Sequence, residues 1–121
     1  MTTGIAAAEA NTALDAIRTD TPFIKLHVGD PGAAGASNAA VETTRKAVTF
    51  GAPSGGSMTN TASFQWTSIA GSEDATHFSV WNASTAGTFK GSGTITANAY
   101  TAGDTFTVAI SAAVMSITVA A

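Results

Sequence analysis

Thr105-Phe106-Thr107-Val108-Ala109-Ile110-Ser111 puts Phe106, Val108 and Ile110 on one side of an extended chain and Thr105, Thr107 and Ala109 on the other. Strict alternation is the signature of a strand with one buried face, which is how antiparallel sheets behave. Ala102-Gly103-Asp104 supplies a turn before it, and residues 114–119 repeat the pattern with Met115, Ile117 and Val119 inward.

Working outward, the same period recurs upstream. Thr88 to Ala97 reads as two short strands or one bent strand, because Gly91 and Gly93 interrupt it. Thr76 to Asn82 places Phe78 and Val80 inward and His77, Ser79 and Trp81 outward. Ser63 to Ser68 places Phe64 and Trp66 opposite Gln65 and Thr67. Gly51 to Ser57 is the most flexible stretch. In Thr43 to Phe50, Lys46, Val48 and Phe50 alternate against Arg45, Ala47 and Thr49. Phe23 to Val28 turns Ile24, Leu26 and Val28 to a core and Lys25 and His27 outward. Gly29-Asp30-Pro31-Gly32 then forms a turn, followed by a loop over residues 33–40.

Before Pro22 the period changes. Ala6, Ala10, Ala13, Leu14 and Ile17 make a narrow helical stripe that Thr2 or Thr3 can cap, and Thr21-Pro22 stops it. An alanine-rich stripe buries little area, so the helix has to pack on its own domain or on a neighbour. The expected fold is mainly β: an antiparallel, jelly-roll-like β-sandwich of seven or eight short strands with one N-terminal α-helix. The helix falls in residues 1–21 and the sandwich in residues 22–121, as a single domain.

Charged residues are 11% of the 121-residue chain, against roughly 25% in ordinary domains. Alanine makes up roughly a fifth and threonine roughly a sixth. With 45% hydrophobic residues and a net charge of −3, disorder sustained by like-charge repulsion is excluded. Arg18, Lys25, Arg45, Lys46 and Lys90 are scattered, so no basic footprint for nucleic acid exists. The absence of cysteine excludes disulfides and thiol chemistry. No apolar run is long enough for a membrane span. The N-terminus lacks the basic region of a leader, which points to synthesis in a cytoplasm without standard export.

Catalytic patterns are missing as well. There is no nucleophile elbow, phosphate loop or zinc helix, so no catalytic residue, metal set or cofactor is expected. His77 lies near Glu73 and Asp74, which could in principle serve a metal or a hydrolase. A polar residue beside two turn-closing acids is the better reading. His27, on the outward side of its strand, reads as a surface or interface residue. Trp81 falls on the opposite parity from Phe78 and Val80, and Tyr100 sits in a turn region. Both are candidates for an interface or for stacking on a sugar. Asn82-Ala83-Ser84 fits the N-glycosylation pattern, which is common by chance.

A set of short motifs carries a resemblance. Leu26-His27-Val28-Gly29-Asp30-Pro31-Gly32, with Gly35 and Asn38, is similar to the opening of small virion proteins of phages of actinobacteria. Such proteins are often labelled tail fibre or minor tail proteins. The similarity continues through Arg45 to Gly51, Asn60, Thr76 to Ala83, Gly91 to Ile95 and Ala102 to Phe106. It departs at Thr43 and Thr44, where relatives often carry an aromatic before the arginine. The resemblance implies a structural virion protein, made in the bacterial host cytoplasm, that assembles with itself and docks on other virion proteins of tail or capsid. A trimer suits such modules. The alternatives are a capsid decoration protein and a carbohydrate-binding module for a host-surface glycan. Outward strand positions are largely Thr, Ser and Ala, so the charge deficit falls on surface that in a lone domain would carry Lys and Glu.

Overall fold

Pro22 divides helix from sheet as expected. The computed structural model describes residues 3–96 and 99–120. Thr2, Ala97 and Ala121, which the sequence reading used as cap, strand end and domain end, lie outside them. Helix α1 spans Ala7–Arg18, and its N-cap is Ala6, which offers no side-chain bond, so Thr3 does not cap it. Ala10 and Leu14 are buried, whereas Ala6 and Ala13 of the expected stripe are exposed. Burying Leu14 contributes about 2 kcal/mol. A directional contact adds to it: Asn11 Oδ1 accepts the Gly56 amide at 2.9 Å. The helix therefore packs on its own domain.

Eight strands follow: β1 (Phe23–His27), β2 (Lys46–Ala47), β3 (Ser57–Thr59), β4 (Phe64–Trp66), β5 (His77–Trp81), β6 (Phe89–Ile95), β7 (Phe106–Val108) and β8 (Ala113–Ser116). Six of them form one antiparallel sheet in the order β2-β1-β5-β6-β8-β3, and β4 and β7 form a separate two-stranded ribbon. The large sheet curls until its two outer strands meet. Beyond β2, Gly51 N donates to Thr59 O, and Thr61 N donates to Thr49 O, so Phe50 bridges to Asn60 beside β3. The hairpin between them turns at Ser54–Ser57, where Gly55 and Gly56 both take positive φ, +60° and +78°. Consecutive positive φ angles fit a turn that matches strand twist, and glycine takes them without a Cβ clash. The architecture is sandwich-like: a curled sheet with the ribbon laid against its core.

Ile24, Leu26, Phe78, Val80, Met58, Met115 and Ile95 from the sheet share that core with Leu14, Trp66, Phe106 and Val108. Residues 89–95 make one continuous strand, with a register shift opposite Val80 and Trp81. The two glycines do not break it, because large neighbours fill the space their side chains would occupy. A Cβ on Gly91 would lie 2.8 Å from the Met115 methyl. One on Gly93 would strike the Val114 carbonyl oxygen and the ring of Phe78, its cross-strand partner.

Five inward assignments differ, and two of them, Ile117 and Val119, are only partly buried because β8 ends at Ser116. Val28 is exposed, since β1 ends at His27 and the Val28 amide instead donates to Asn38 O. Ile110 is 63% exposed because β7 stops at Val108 and the chain turns, with Ser111 at φ +67°. Phe64 is only partly buried, packed edge-on against Trp66 at 5.5 Å.

Gly93→Ala tests the filled-glycine packing. The added methyl meets backbone, which cannot move aside as a flexible side chain can, so we expect a loss of about 3 kcal/mol by chemical denaturation. Gly91→Ala, which meets only a methionine tip, is expected to cost less. Equal and small effects at both sites would refute the packing argument.

Candidate functional site: the covered outer face of β1 and β5

The side of β1 and β5 that faces away from the core is not open to solvent. Residues 38–40 return alongside the end of β1, with Ala40 N donating to Leu26 O. The intervening loop, residues 29–37, crosses the outer face and brings Gly35 against the ring of Phe89. His27 and Ser79 beneath it are fully buried. This corrects the reading of His27 as a surface residue: alternation assigned it to the second face correctly, but that face is covered.

The buried polar groups form a chain with one direction. His27 Nδ1 lies 2.8 Å from Ser37 O, and a carbonyl only accepts, so Nδ1 carries the proton. In the neutral ring Nε2 then accepts from Ser79 Oγ at 2.8 Å, and Ser79 Oγ accepts from Trp81 Nε1 at 2.8 Å. Burial holds the His27 pKa below its ordinary value, and Lys25 and His77 push the same way against the bond to Ser37. His77 stands directly opposite His27 across the strand pair.

Trp81, at the end of this chain, is half-buried and occupied. The Arg45 guanidinium lies 4.2 Å from the ring centroid, a cation–π contact, and Phe89 packs at 5.5 Å. Arg45 Nη1 also donates to Ala83 O at 3.0 Å and Ala86 O at 2.6 Å, which ties the 82–88 loop to the segment before β2. Asn82 of the glycosylation pattern is engaged too, its Oδ1 accepting the Thr88 amide at 2.8 Å.

Tyr100 does not lie on an exposed turn. It is buried, stacks on Phe106 at 4.8 Å, and donates its hydroxyl to Glu73 Oε1 at 3.1 Å. Burial and the Glu73 carboxylate push its pKa well above the ordinary value. Glu73 Oε1 also accepts the Val41 amide at 2.7 Å. Glu42 accepts the amides of Ala70 and Thr44 at 3.0 and 3.1 Å. Burial alone would raise the Glu42 pKa, but these amides hold it below the ordinary value. The structure thus separates the three sequence candidates: Trp81 and His27 share the covered face through Ser79, and Tyr100 belongs to a different cluster.

His77 is bonded through Nδ1 to Thr76 Oγ1 at 2.8 Å, while Glu73 turns toward Tyr100. Among the described residues no three of His, Asp and Glu gather as a metal site would require. Sequence reasoning missed Ser79, Glu42 and Asn60 as organising residues. For Glu42 the available signal was scarcity, because most charged side chains of this charge-poor chain have a structural partner; Ser79 and Asn60 carried no such signal.

His27 makes stability depend on pH. Its folded-state pKa lies below the ordinary imidazole value, so the unfolded chain binds the proton more readily. The stabilisation is fully present above about pH 6.5, the unfolded value, and is lost as pH falls through the lowered folded-state value. We expect the melting temperature to drop on acidification, with His27→Gln less stable at neutral pH but flatter in profile. Parallel profiles would remove His27 from this role.

Residues 4–116 match the model of the family described as podophage GP4 fiber I protein gp80. No curated protein matches the chain. The matched span includes the loop over His27, the Arg45–Trp81 contact, Asn60 and every strand. The chain accordingly belongs to the podophage GP4 fiber I protein gp80 family and is a structural fibre protein of a phage virion.

Proposed function

We propose that this protein is a fibre subunit of tail-fibre or minor-tail type, from a phage of actinobacteria, and that it works by self-assembly and docking rather than by catalysis. Synthesised in the bacterial host cytoplasm, it joins the particle as a homo-oligomer, for which a trimer is the expected state. The observation that carries this reading is where the few charges go. Asp15 pairs with Arg18, and Asp20 pairs with Lys90. Asp30 and Asp104 accept turn amides, and Glu42, Glu73 and Arg45 fix loops. Glu9, Lys25, Lys46 and Asp74 remain without such a partner among the described residues. A surface of hydroxyls and small apolar groups loses little when it is dehydrated against protein, whereas burying charge is costly.

Two further features support a non-catalytic, non-lectin role. Among the described residues the one Ser–His side-chain bond, Ser79 with His27, is fully buried, so no substrate can reach it. Arg45 and Phe89 already pack against the Trp81 ring, and Tyr100 is buried, which leaves neither free to stack on a sugar.

Native mass spectrometry of the purified protein, together with side-chain-resolution density of the intact particle, tests the proposal. The expected result is a trimer in solution and density for this chain on the tail. A protein that stays monomeric and is missing from particles would overturn self-assembly and docking together. Density confined to the head would overturn the tail assignment.

A further inference from the structure

The 29–37 loop is a light cover over a deeply buried polar chain. Within it only Pro31 and Gly35 are buried. Three of its hydrogen bonds close inside the segment: Gly32 N donates to Asp30 Oδ1, Gly35 N to Gly32 O, and Ser37 N to Pro31 O. Its ends are pinned separately, where Val28 N donates to Asn38 O and Ala40 N to Leu26 O. Among the described residues, the one hydrogen bond from the loop itself to the sheet is that of Ser37 O with His27 Nδ1.

The chain beneath is matched to a neutral imidazole. Nδ1 donates to Ser37 O, Ser79 Oγ donates to Nε2, and Trp81 Nε1 donates to Ser79 Oγ. A proton taken at Nε2 sets two donors against each other. The serine hydrogen must then leave Nε2 and find another acceptor on a face closed to water. Nor does a carboxylate offset the new charge. The charged groups that act on the ring are Lys25 on its own strand and His77 opposite it on β5, and both oppose a further positive charge. The one charge of the loop, Asp30, is exposed and already accepts the Gly32 amide. Residues 38–40 carry no charge, and neither do Gly93, Thr94 and Ile95 of β6 beyond β5. A buried charge without a partner costs several kcal/mol.

We infer that the 29–37 loop is an acid-released cover: a proton taken by His27 lifts it from the outer face of β1 and β5 while the sheet beneath stays folded. Lifting it gives up the burial of Pro31 and the contact of Gly35 with Phe89, and it lets water reach the imidazolium. The sheet does not depend on the loop. β1 and β5 pair through all five residues of each strand, and their other side holds Ile24, Leu26, Phe78 and Val80 in the core. The closed ring resists a proton that the open ring accepts at its ordinary value. Over that interval each pH unit therefore favours the open form by up to about tenfold. The device is independent of how copies of the chain assemble.

Indole N–H exchange in the full-length protein, corrected for the intrinsic pH dependence of exchange, tests this. Trp81 Nε1 reports on the covered face, and Trp66 Nε1, bonded to Thr44 O, is the internal reference. Between about pH 7.5 and about pH 5, protection of the Trp81 indole and of the Gly35 and Ser37 amides is expected to fall at least about tenfold. The Trp66 indole and the β5 amides are expected to keep theirs. The His27 ring, titrated in the same spectra, is expected to share the midpoint of the fall. In His27→Gln the fall is expected to vanish, and in His77→Gln to persist. Should His27→Gln fail to fold, the shared midpoint in the wild type carries the test. Undiminished protection at Trp81, an equal loss at Trp66, or a midpoint apart from that of the His27 ring would each overturn the inference. So would a fall that survives in His27→Gln or disappears in His77→Gln.

Discussion

Asn60 is the residue on which the rest of the arrangement depends. It is fully buried, and all of its hydrogen-bonding groups are engaged. Its main chain donates to Ala113 O and accepts from Ser111 N, while its amide reaches Ala62 O, Ala109 O and Ala113 N. An unsatisfied buried amide costs free energy, and a fully satisfied one specifies a single geometry. Here that geometry sets three things together: the closing bridge to Phe50, the entry into β4, and the turn between β7 and β8. An apolar residue of similar size could fill the space but could not hold these segments in register.

Three of the charged groups work in a similar way, holding loop to loop. Arg45 binds two carbonyls of the 82–88 loop and covers Trp81, and Glu42 and Glu73 bind amides of segments distant in sequence. Hydrogen bonds to charged groups contribute about 1.5–3 kcal/mol each when partly buried, more than neutral ones. Loops of glycine, alanine and serine have little apolar area with which to hold themselves down. A handful of charge-assisted bonds replaces that missing area, and the exterior is left to hydroxyls.

Period-two alternation located seven of the eight strands, because it depends only on the geometry of an extended chain next to a core; it missed β3 (Ser57–Thr59), three residues directly after the glycine-rich stretch read as flexible. It placed Phe106 and Val108 correctly and failed at Ile110, where the turn is set by Asn60, some 50 residues away in sequence. A further failure is more instructive. Alternation distinguishes two faces but does not say whether the second is wet, so His27 was assigned to solvent although the 29–37 loop covers it. Tyr100 was misplaced for a related reason: a turn-rich segment suggests exposure, but its ring enters the core beside Phe106. The candidate site was legible as residue types and illegible as a site, since Ser79, Arg45 and Glu42 act through partners that only the tertiary fold supplies.

A charge-poor chain can still be a stable unit. Its surface of 5997 Å² is close to the roughly 6,000 Å² that area scaling gives for a compact monomer of 12.0 kDa. The core is complete within one chain, and no buried polar side-chain atom among the described residues lacks a partner. The Phe50–Asn60 bridge joins the two ends of the large sheet, which leaves less unpaired edge there to invite uncontrolled pairing.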